Sequence, residues 1–288
     1  MFSGNYFVLR KKYMTVTALG ALVTCGSAQP LPQSAPVPAQ CKMDLPQVET
    51  LSNSQGPVSG PFSLAGNEKG EVTVLSMNVQ RLPFKANPDY RDDRVACLSK
   101  LSEKFDLVAY QENFMGWAEN EEAQSRLYTR FNSGLSISGH VRFTAKDEKM
   151  YSKCNGLFGE KNDCLAHKGY QQIEMKGIPV FNTHLDAGDS LNDIMTRELQ
   201  LAEILLALPA GGRVIVVGDF NLKRNRAEDE ANYRMFLSES GLREIARSAD
   251  GVDVILGRGV SAKSIGTVGN NLLSDHKGLV ARLDISQP

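Results

Sequence analysis

Polar side chains follow the apolar stretches of this sequence at the points where those stretches end. The run Val-Ile-Val-Val at 214–217 is followed by glycine, and such a run is typical of a strand buried on both faces. Asp219 and Asn221 come directly after it. Because strand ends meet at one rim of a sheet, groups that are distant in sequence can converge there. Asn78, Glu112 and His184 stand at the ends of other apolar runs. Asp253 stands at the start of such a run, and Asp275 and His276 stand just before the last one.

Each of these residues also has a purely structural interpretation. Asn78 and Asp219 could form turns, because asparagine and aspartate are common turn residues. Glu112 could begin an exposed loop, His184 could be a hydrogen-bonded core histidine, and Asp253 could cap a strand. The recurrence of such residues at one strand end after another favours a shared site over a series of unrelated turns.

The oxygen-bearing side chains of this set match the ligands of a hard divalent cation. Glu112 and Asp275 supply carboxylates and Asn78 an amide oxygen, and Mg²⁺ prefers one or two carboxylates together with water and phosphate. Mn²⁺ accepts similar oxygen ligands. A cation would polarise a phosphoryl oxygen, while Asp219 and Asn221 would position the attacking water and the phosphate. The set therefore predicts metal-assisted hydrolysis of a phosphodiester, with Mg²⁺ as the cofactor.

Two of the four histidines lie at predicted strand ends, where they can transfer protons. They are His276 and His184, whereas His140 and His167 fall in predicted loops. Imidazole titrates near neutrality, so one histidine can take a proton from water and the other can protonate the leaving oxygen. A buried carboxylate such as Asp253 would fix the tautomer of a catalytic imidazole.

The elements that hold these residues follow from hydrophobic periodicity and turn signals. Strands are predicted at 71–77, 106–110, 133–138, 170–175, 178–183, 213–217, 252–256 and 278–284. Helices are predicted at 89–104, 118–131, 190–208 and 229–240. Many short strands with fewer helices favour an α/β (α+β) fold of packed sheets with helices outside, rather than a regular βαβ barrel.

Composition is that of a globular protein with one large domain. The chain has 288 residues, of which 42% are hydrophobic and 23% are charged, and a single domain of roughly 200–250 residues fits this length. Formal net charge is −1. The first 28 residues hold three bases and no acids, which leaves 29 bases against 33 acids in the remainder. A dedicated nucleic-acid binder is expected to be more basic, although bound metal ions can supply positive charge.

The N-terminal residues 1–28 read as an export signal. Three consecutive bases at 10–12 precede a short apolar run, and small residues then offer cleavage after Ala28. The apolar run is too short for a stable membrane anchor. We therefore expect a secreted or periplasmic protein, with lipid anchoring through Cys25 as the alternative. Residues 29–68 are rich in Pro, Ser, Gln and Gly and are expected to form a lead-in or tether, ahead of a catalytic domain at 69–288.

Four cysteines remain after the predicted export signal, in a compartment where disulfides persist. Cys154 and Cys164 flank a polar loop that a disulfide could close. Cys97 falls in the predicted helix at 89–104, and we expect it to be a buried thiol. Zinc binding is not expected, because no CxxC pair or histidine pair has ligand spacing.

The motifs resemble, in order, those of the endonuclease/exonuclease/phosphatase superfamily, which has the deoxyribonuclease-I-like fold. They are SMNVQ, VAYQENF, FNTHLDAG, VVGDFN, VDVIL and LSDHKGLV, spread over about residues 70–288. The resemblance implies a four-layer α/β sandwich and Mg²⁺-dependent cleavage of a phosphoester. It matches Asn78 and Glu112 to metal and phosphate positions, and Asp275 to a metal-site acid.

The same resemblance implies roles for the remaining residues. Asp219 and Asn221 match the pair that positions water and phosphate. His276 matches the general base, and Asp253 the acid that pairs with this base. His184 in NTHL matches the histidine thought to protonate the leaving group.

Within the superfamily, the sequence looks most like the secreted neutral sphingomyelinase and phospholipase C branch. The similarity lies in YQENF, SGLSIS and NDCLAHKGYQQIEM. Lys168-Gly169 stands where abasic-site endonucleases usually carry a Glu-Gly-Arg type sequence, so Lys168 is expected to bind substrate phosphate, with a plain surface lysine as the alternative. The sequence departs from lipid-inserting members in showing no long apolar hairpin with exposed aromatic residues.

Several hypotheses about function follow from these observations. The leading one is an exported, monomeric, Mg²⁺-dependent phosphodiesterase without a transmembrane segment, which acts on a phospholipid such as sphingomyelin at a membrane surface. The alternative is an exported endonuclease that cleaves DNA or RNA with the same site. A binding or toxin-like module with a vestigial site, and a phosphomonoesterase acting on inositol lipids, also remain open.

Overall fold

A computed structural model of the chain contains two mixed β-sheets that pack face to face. The structure describes residue 41 and residues 47–51, 70–82, 91–114, 124–128, 133–156 and 163–286. Within these ranges, no helix is both long and apolar enough to cross a membrane. The predicted export signal and most of the predicted lead-in lie outside the described residues.

The first sheet has seven strands in the order β1-β12-β13-β2-β3-β5-β4. Its strands β2 and β3 are parallel, and their neighbours are antiparallel. The bounds are β1 Glu49–Thr50, β2 Glu71–Asn78, β3 Leu107–Gln111, β4 Ser125–Tyr128, β5 Ser136–Gly139, β12 Ser261–Val268 and β13 Gly278–Asp284.

The second sheet has six strands in the order β10-β11-β9-β8-β7-β6. Only β8 and β9 are parallel among its described pairs. The bounds are β6 Phe143–Met150, β7 Gly169–Met175, β8 Ile178–His184, β9 Val214–Asp219, β10 Arg243–Arg247 and β11 Asp253–Arg258.

Three described helices cover the outer faces of the sheets. They are α1 Arg91–Ser102, α2 Leu191–Ala207 and α3 Ala227–Ser240. One apolar cluster lies between the sheets, a second joins the outer face of the β6–β11 sheet to α2 and α3, and a third joins the other sheet to α1. Each fully buried Leu, Ile or Val contributes about 1.5–3 kcal/mol relative to an exposed one. The predicted α/β sandwich of two packed sheets with helices outside is confirmed.

The helix predicted at 118–131 is wrong where the structure describes it. Residues 125–128 form the edge strand β4, which pairs with β5, and 118–123 and 129–131 lie outside the described residues. Pairing to a neighbouring strand has overridden the local helical pattern. Sequence reasoning also missed β6, β10, β12 and the short β1. Strand β6 is mostly exposed, so it lacks the apolar signal of a core strand.

The two disulfides confirm one cysteine prediction and correct another. Cys154 and Cys164 are bonded, as the spacing suggested. Cys97 is not a free thiol: it is bonded to Cys41, which comes from the predicted lead-in. The sulfur of Cys97 is buried, but its partner is 56 residues away in sequence, a distance at which spacing gives no signal.

Candidate functional site

The parallel strand pairs of both sheets end at a common rim. Asn78 is the last residue of β2, and His184 and Asp219 are the last residues of the neighbouring strands β8 and β9, where they stand side by side. Asp253 begins the antiparallel strand β11 directly opposite Asp219. Asn78 Nδ2 donates to Asp219 Oδ2 at 2.9 Å and so joins the two sheets at this rim.

A histidine and two carboxylates converge beside this contact. His276 Nδ1 lies 2.8 Å from Asp253 Oδ2, and His276 Nε2 lies 4.0 Å from Asp219 Oδ2. One atom of each residue that could bind a metal, an imidazole nitrogen of His276 and a carboxylate oxygen of Asp219 and of Asp253, lies within 4.8 Å of the other two. Asp253 is buried and its Oδ1 has no hydrogen-bond partner in the described structure. The carboxylate therefore holds the imidazole by one nitrogen and leaves Nε2 directed towards Asp219.

Charge and burial set the pKa directions of this pair. Burial lowers the pKa of His276, but the hydrogen bond to Asp253 and the charges of Asp253, Asp219 and Asp275 outweigh it and raise the pKa to about 10. Burial raises the pKa of Asp253, against the effect of the hydrogen bond from His276. Without added positive charge nearby, the imidazole is therefore held in its cationic form.

The second histidine has the opposite electrostatic character. Burial lowers the pKa of His184 well below its usual range, and the charges of Lys168 and His276 lower it further. Lys168 Nζ lies 3.0 Å from His184 Nε2. Because an ammonium group only donates, Nε2 of the neutral ring accepts and the proton belongs on Nδ1. That Nδ1 is buried and has no partner among the described residues.

Lys168 has a different environment from the one expected of a phosphate-binding or surface lysine. It is 5% exposed, and its Nζ contacts Asp163 Oδ1 at 2.7 Å and Leu185 O at 2.8 Å in addition to His184. These three partners match the three protons of the ammonium group. The alternative of a plain surface lysine is therefore wrong, whereas phosphate binding by Lys168 stays a prediction. Asp163 is a residue of this cluster that sequence reasoning missed.

Asn221 and Asp219 form a compact turn at the end of β9. The backbone N–H of Asn221 donates to Asp219 Oδ1 at 3.0 Å, and Asn221 Nδ2 donates to Leu185 O at 3.0 Å. Asn221 has φ of 52°, a left-handed conformation in which Asn is enriched among non-glycine residues. The turn interpretation of these two residues is therefore confirmed by their hydrogen bonds, and their catalytic role stays a prediction.

Glu112 is the partly buried acid of the site. Burial raises its pKa; the charge of Lys168 and a hydrogen bond from Asn78 oppose this, and the charges of Asp219 and Asp275 raise it again. Its φ of 54° is left-handed, which is uncommon for glutamate and costs about 1–3 kcal/mol. The carboxylate of Glu112 therefore lies near two other carboxylates on a strained backbone. This arrangement lowers the stability of the fold unless a cation neutralises the charges.

Asp275 stands at the exposed edge of the same group. Its Oδ2 accepts from Gln80 Nε2 at 2.7 Å, and Gln80 is a second residue that sequence reasoning missed. The backbone N–H of Gln80 in turn donates to Asn78 Oδ1 at 3.0 Å. Gln80 is the last residue of the SMNVQ motif, two residues after Asn78, and this is the sequence signal that could have found it.

The residues at the rim fit a hard divalent cation. Carboxylate oxygens of Glu112 and Asp275 and the amide oxygen of Asn78 are the donors that Mg²⁺ takes in proteins. The negative charges of Asp219 and Asp275 raise the pKa of Glu112, so both carboxylates lie near it. The structure thus brings the sequence-predicted residues together at one rim, and the roles assigned to them stay predictions.

Comparison with known proteins shows similar structures but no similar sequence. No protein-family model matches the sequence, and no curated protein matches it. The sphingomyelinase C of Streptomyces griseocarneus superposes with a TM-score of 0.56 at 16% identity, over 74% of this chain and 99% of that chain. A magnesium-bound mutant beta toxin from Staphylococcus aureus gives 0.53 at 15% identity, over 73% and 99%.

A third similar structure is named after the superfamily whose motifs the sequence resembles. The endonuclease/exonuclease/phosphatase protein of Beutenbergia cavernae superposes with a TM-score of 0.53 at 12% identity, over 75% of this chain and 72% of that chain. The chain therefore has the endonuclease/exonuclease/phosphatase fold, as the motifs indicated.

Proposed function

We propose that this protein is an exported, Mg²⁺-dependent phosphodiesterase. The observation that carries the proposal is the chain of contacts from Asn78 through Asp219 to the His276–Asp253 pair at one rim. Supporting it, solved structures with this fold include a sphingomyelinase C and a beta toxin with bound magnesium. The two disulfides support export, because such bonds persist in oxidising compartments.

The protein side chains divide the reaction between them. His276 Nε2 accepts a proton from the attacking water, while Asp253 holds Nδ1 and supports the cation that forms. Asp219 and Asn221 orient the water and the phosphate. His184 is assigned the proton for the leaving oxygen, which it can give up only from its cationic form. The nitrogen that would carry this proton is Nε2, which lies 3.4 Å from Asp219 Oδ2 at the rim.

The proposed metal ligands are Glu112, Asn78 and Asp275. A Mg²⁺ ion bound there would polarise the phosphoryl oxygen and offset negative charge as it develops. The pKa of His276 is raised partly by the charges of Asp219 and Asp275, so neutralising these carboxylates moves the imidazole towards the neutral form that a base requires.

The proposed substrate is a phospholipid such as sphingomyelin. The support is the sphingomyelinase among the similar structures and the excess of acidic over basic residues, 33 against 29 after the predicted export signal. An anionic nucleic-acid backbone is bound by basic surfaces, and this composition supplies no excess of positive charge.

The test is hydrolysis by the purified full-length protein of sphingomyelin vesicles, phosphatidylcholine vesicles, duplex DNA and RNA, each with Mg²⁺ and with EDTA. We expect Mg²⁺-dependent release of the phosphorylated head group from sphingomyelin. The variant His276→Ala is expected to lose this activity, and the control His140→Ala, whose ring contacts Glu103 O away from the rim, to keep it. Cleavage of nucleic acid but of neither lipid would replace the lipid substrate with the nuclease alternative.

A further inference from the structure

Two consecutive acids of α3 bind buried arginines that come from different elements. Asp229 Oδ1 accepts from Arg197 Nη2 of α2 at 2.9 Å, and both side chains are fully buried. Glu230 Oε2 accepts from Arg247 Nη1 of β10 at 2.7 Å, and the Arg247 side chain is also fully buried. The Arg247 guanidinium stacks on the Tyr233 ring at 3.8 Å. None of these groups belongs to the rim described above.

Arg197 holds the loop that follows His184. Its Nη1 donates to Asp186 O and to Gly188 O, both at 3.0 Å. Neither carbonyl lies in a strand, so the guanidinium supplies the donors that a sheet would otherwise provide. The loop is thereby fixed within four residues of the histidine.

Arg247 holds two further loops of the rim. Its Nη2 donates to Leu222 O at 3.0 Å, one residue after Asn221. Its Nε donates to Gly251 O at 2.9 Å, two residues before Asp253. One planar guanidinium therefore ties together the turns that present Asn221 and Asp253.

The acids complete the arrangement from the other side. The second oxygen of Asp229 accepts from the backbone N–H of Lys223 at 3.1 Å, which lies in the same loop as Leu222. Buried ion pairs of this kind give little net stability relative to apolar residues, because desolvation offsets the attraction. A gain in stability alone therefore does not account for two of them behind one rim, whereas control of geometry does.

We propose that Arg197 and Arg247 are positioning residues that set the loops carrying His184, Asn221 and Asp253. They act through backbone carbonyls and touch no reacting atom. The catalytic part of this inference rests on the proposed phosphodiesterase activity. The structural part, that each arginine orders particular loops, stands independently of that activity.

The test uses Arg197→Lys and Arg247→Lys in the full-length protein, because lysine keeps the charge but lacks the planar fork of donors. The matched control is Arg282→Lys, which alters a largely buried ion pair with Glu71. Glu71 lies at the start of β2, the end of the strand opposite Asn78. Two readouts are measured well below the melting temperature: Mg²⁺-dependent hydrolysis of bis(p-nitrophenyl) phosphate, and amide hydrogen exchange.

We expect kcat to fall by about tenfold or more in both rim variants, with KM changed by less than about threefold, since misplaced groups lower the rate more than the binding. Exchange is expected to accelerate at 185–190 in Arg197→Lys and at 221–226 and 250–253 in Arg247→Lys. The control is expected to keep kcat within about twofold and to leave these amides unchanged.

Unchanged exchange in those loops, with kcat also unaltered, would overturn the proposal. If the wild-type protein hydrolyses no phosphodiester, the proposed function fails, and exchange alone decides the positioning role. If a lysine variant does not fold, Asp229→Asn and Glu230→Gln are measured in the same way. Each weakens the ion pair of one arginine and leaves the arginine in place. The inference would then be contradicted if the amide hydrogens of these loops exchanged as slowly as they do in the wild type.

Discussion

At the residue scale, the site depends on one short hydrogen bond. The contact between His276 Nδ1 and Asp253 Oδ2 is 2.8 Å, and a charge-assisted bond of this kind is stronger than a neutral one. It fixes which nitrogen faces Asp219. The proposed role of His276 as a base therefore requires Asp253 to be present and ionised.

The first prediction concerns this pair. We expect Asp253→Asn to lower kcat of phosphodiester hydrolysis by about 10²-fold or more, because the asparagine amide no longer selects the tautomer. His276→Ala is expected to lose at least as much. The double variant is expected to be no worse than His276→Ala alone, since residues that act as a unit are not additive. Additive losses in the steady-state kinetics would contradict a joint role.

The second prediction concerns buried tyrosines at high pH. Burial, together with Asp147, raises the pKa of Tyr170 to about 12. In the unfolded chain tyrosine ionises near pH 10, so the stability contributed by the neutral phenol is complete below that pH and is lost as pH rises towards 12. We expect urea unfolding to show a fall in stability from about pH 9 to 11 that is less steep in Tyr170→Phe. Equal slopes would contradict the raised pKa.

At the element scale, the loop between β8 and α2 is built around a glycine. Gly188 has φ of +102°, and a Cβ atom placed there would collide with the Asp193 carboxylate. That carboxylate forms the capping box of α2 with Ser190, and Arg197 binds Gly188 O. The start of α2 and the loop after His184 are therefore held together by shared contacts, and we expect a change in one to disturb the other.

The third prediction tests this unit with two glycines. Gly188→Ala is expected to cost about 1 kcal/mol for its backbone conformation and about another 1 kcal/mol for the lost cap, and to lower kcat. The control, Gly212→Ala, has a similar φ of +79° but nothing within 4 Å of the added Cβ, so only the first cost applies. Urea unfolding checks the difference, and equal losses in the two variants would refute the role of the cap.

The sequence predicts the strand ends well because buried parallel strands leave a continuous apolar run. Val214 to Val217 are all buried, and the polar residues that follow are easily seen. The edge strands β4 and β6 carry no such run, since exposure removes the selection for apolar side chains. The burial of Lys168 could not be predicted, because it depends on contacts with Asp163 and Leu185 O that no local sequence pattern encodes.

At the scale of the whole molecule, we expect the proposed metal site to lower the stability of the fold when no cation is bound. Glu112 combines partial burial, a left-handed backbone and the charges of Asp219 and Asp275. Functional sites commonly trade stability for such an arrangement. Folding and metal binding should therefore be thermodynamically linked.

The fourth prediction follows from this linkage. In EDTA, Glu112→Gln is expected to unfold at a higher temperature than the wild type, because a neutral amide removes the repulsion. Mg²⁺ is expected to stabilise the wild type, by about 2.7 kcal/mol at 100 times its Kd, and the variant much less. Differential scanning calorimetry at matched ionic strength measures both effects, and equal Mg²⁺ shifts in the two proteins would exclude Glu112 as a ligand.

The bond between Cys41 and Cys97 also changes the topology of the molecule. It closes a covalent ring that spans 56 residues of sequence and includes β1, β2 and part of α1. A protease that cuts once between Leu51 and Gly70 opens this ring without releasing a fragment. A protein nicked there would therefore keep its full mass on a non-reducing gel and separate into two chains only after reduction, because the disulfide keeps the N-terminal strand attached.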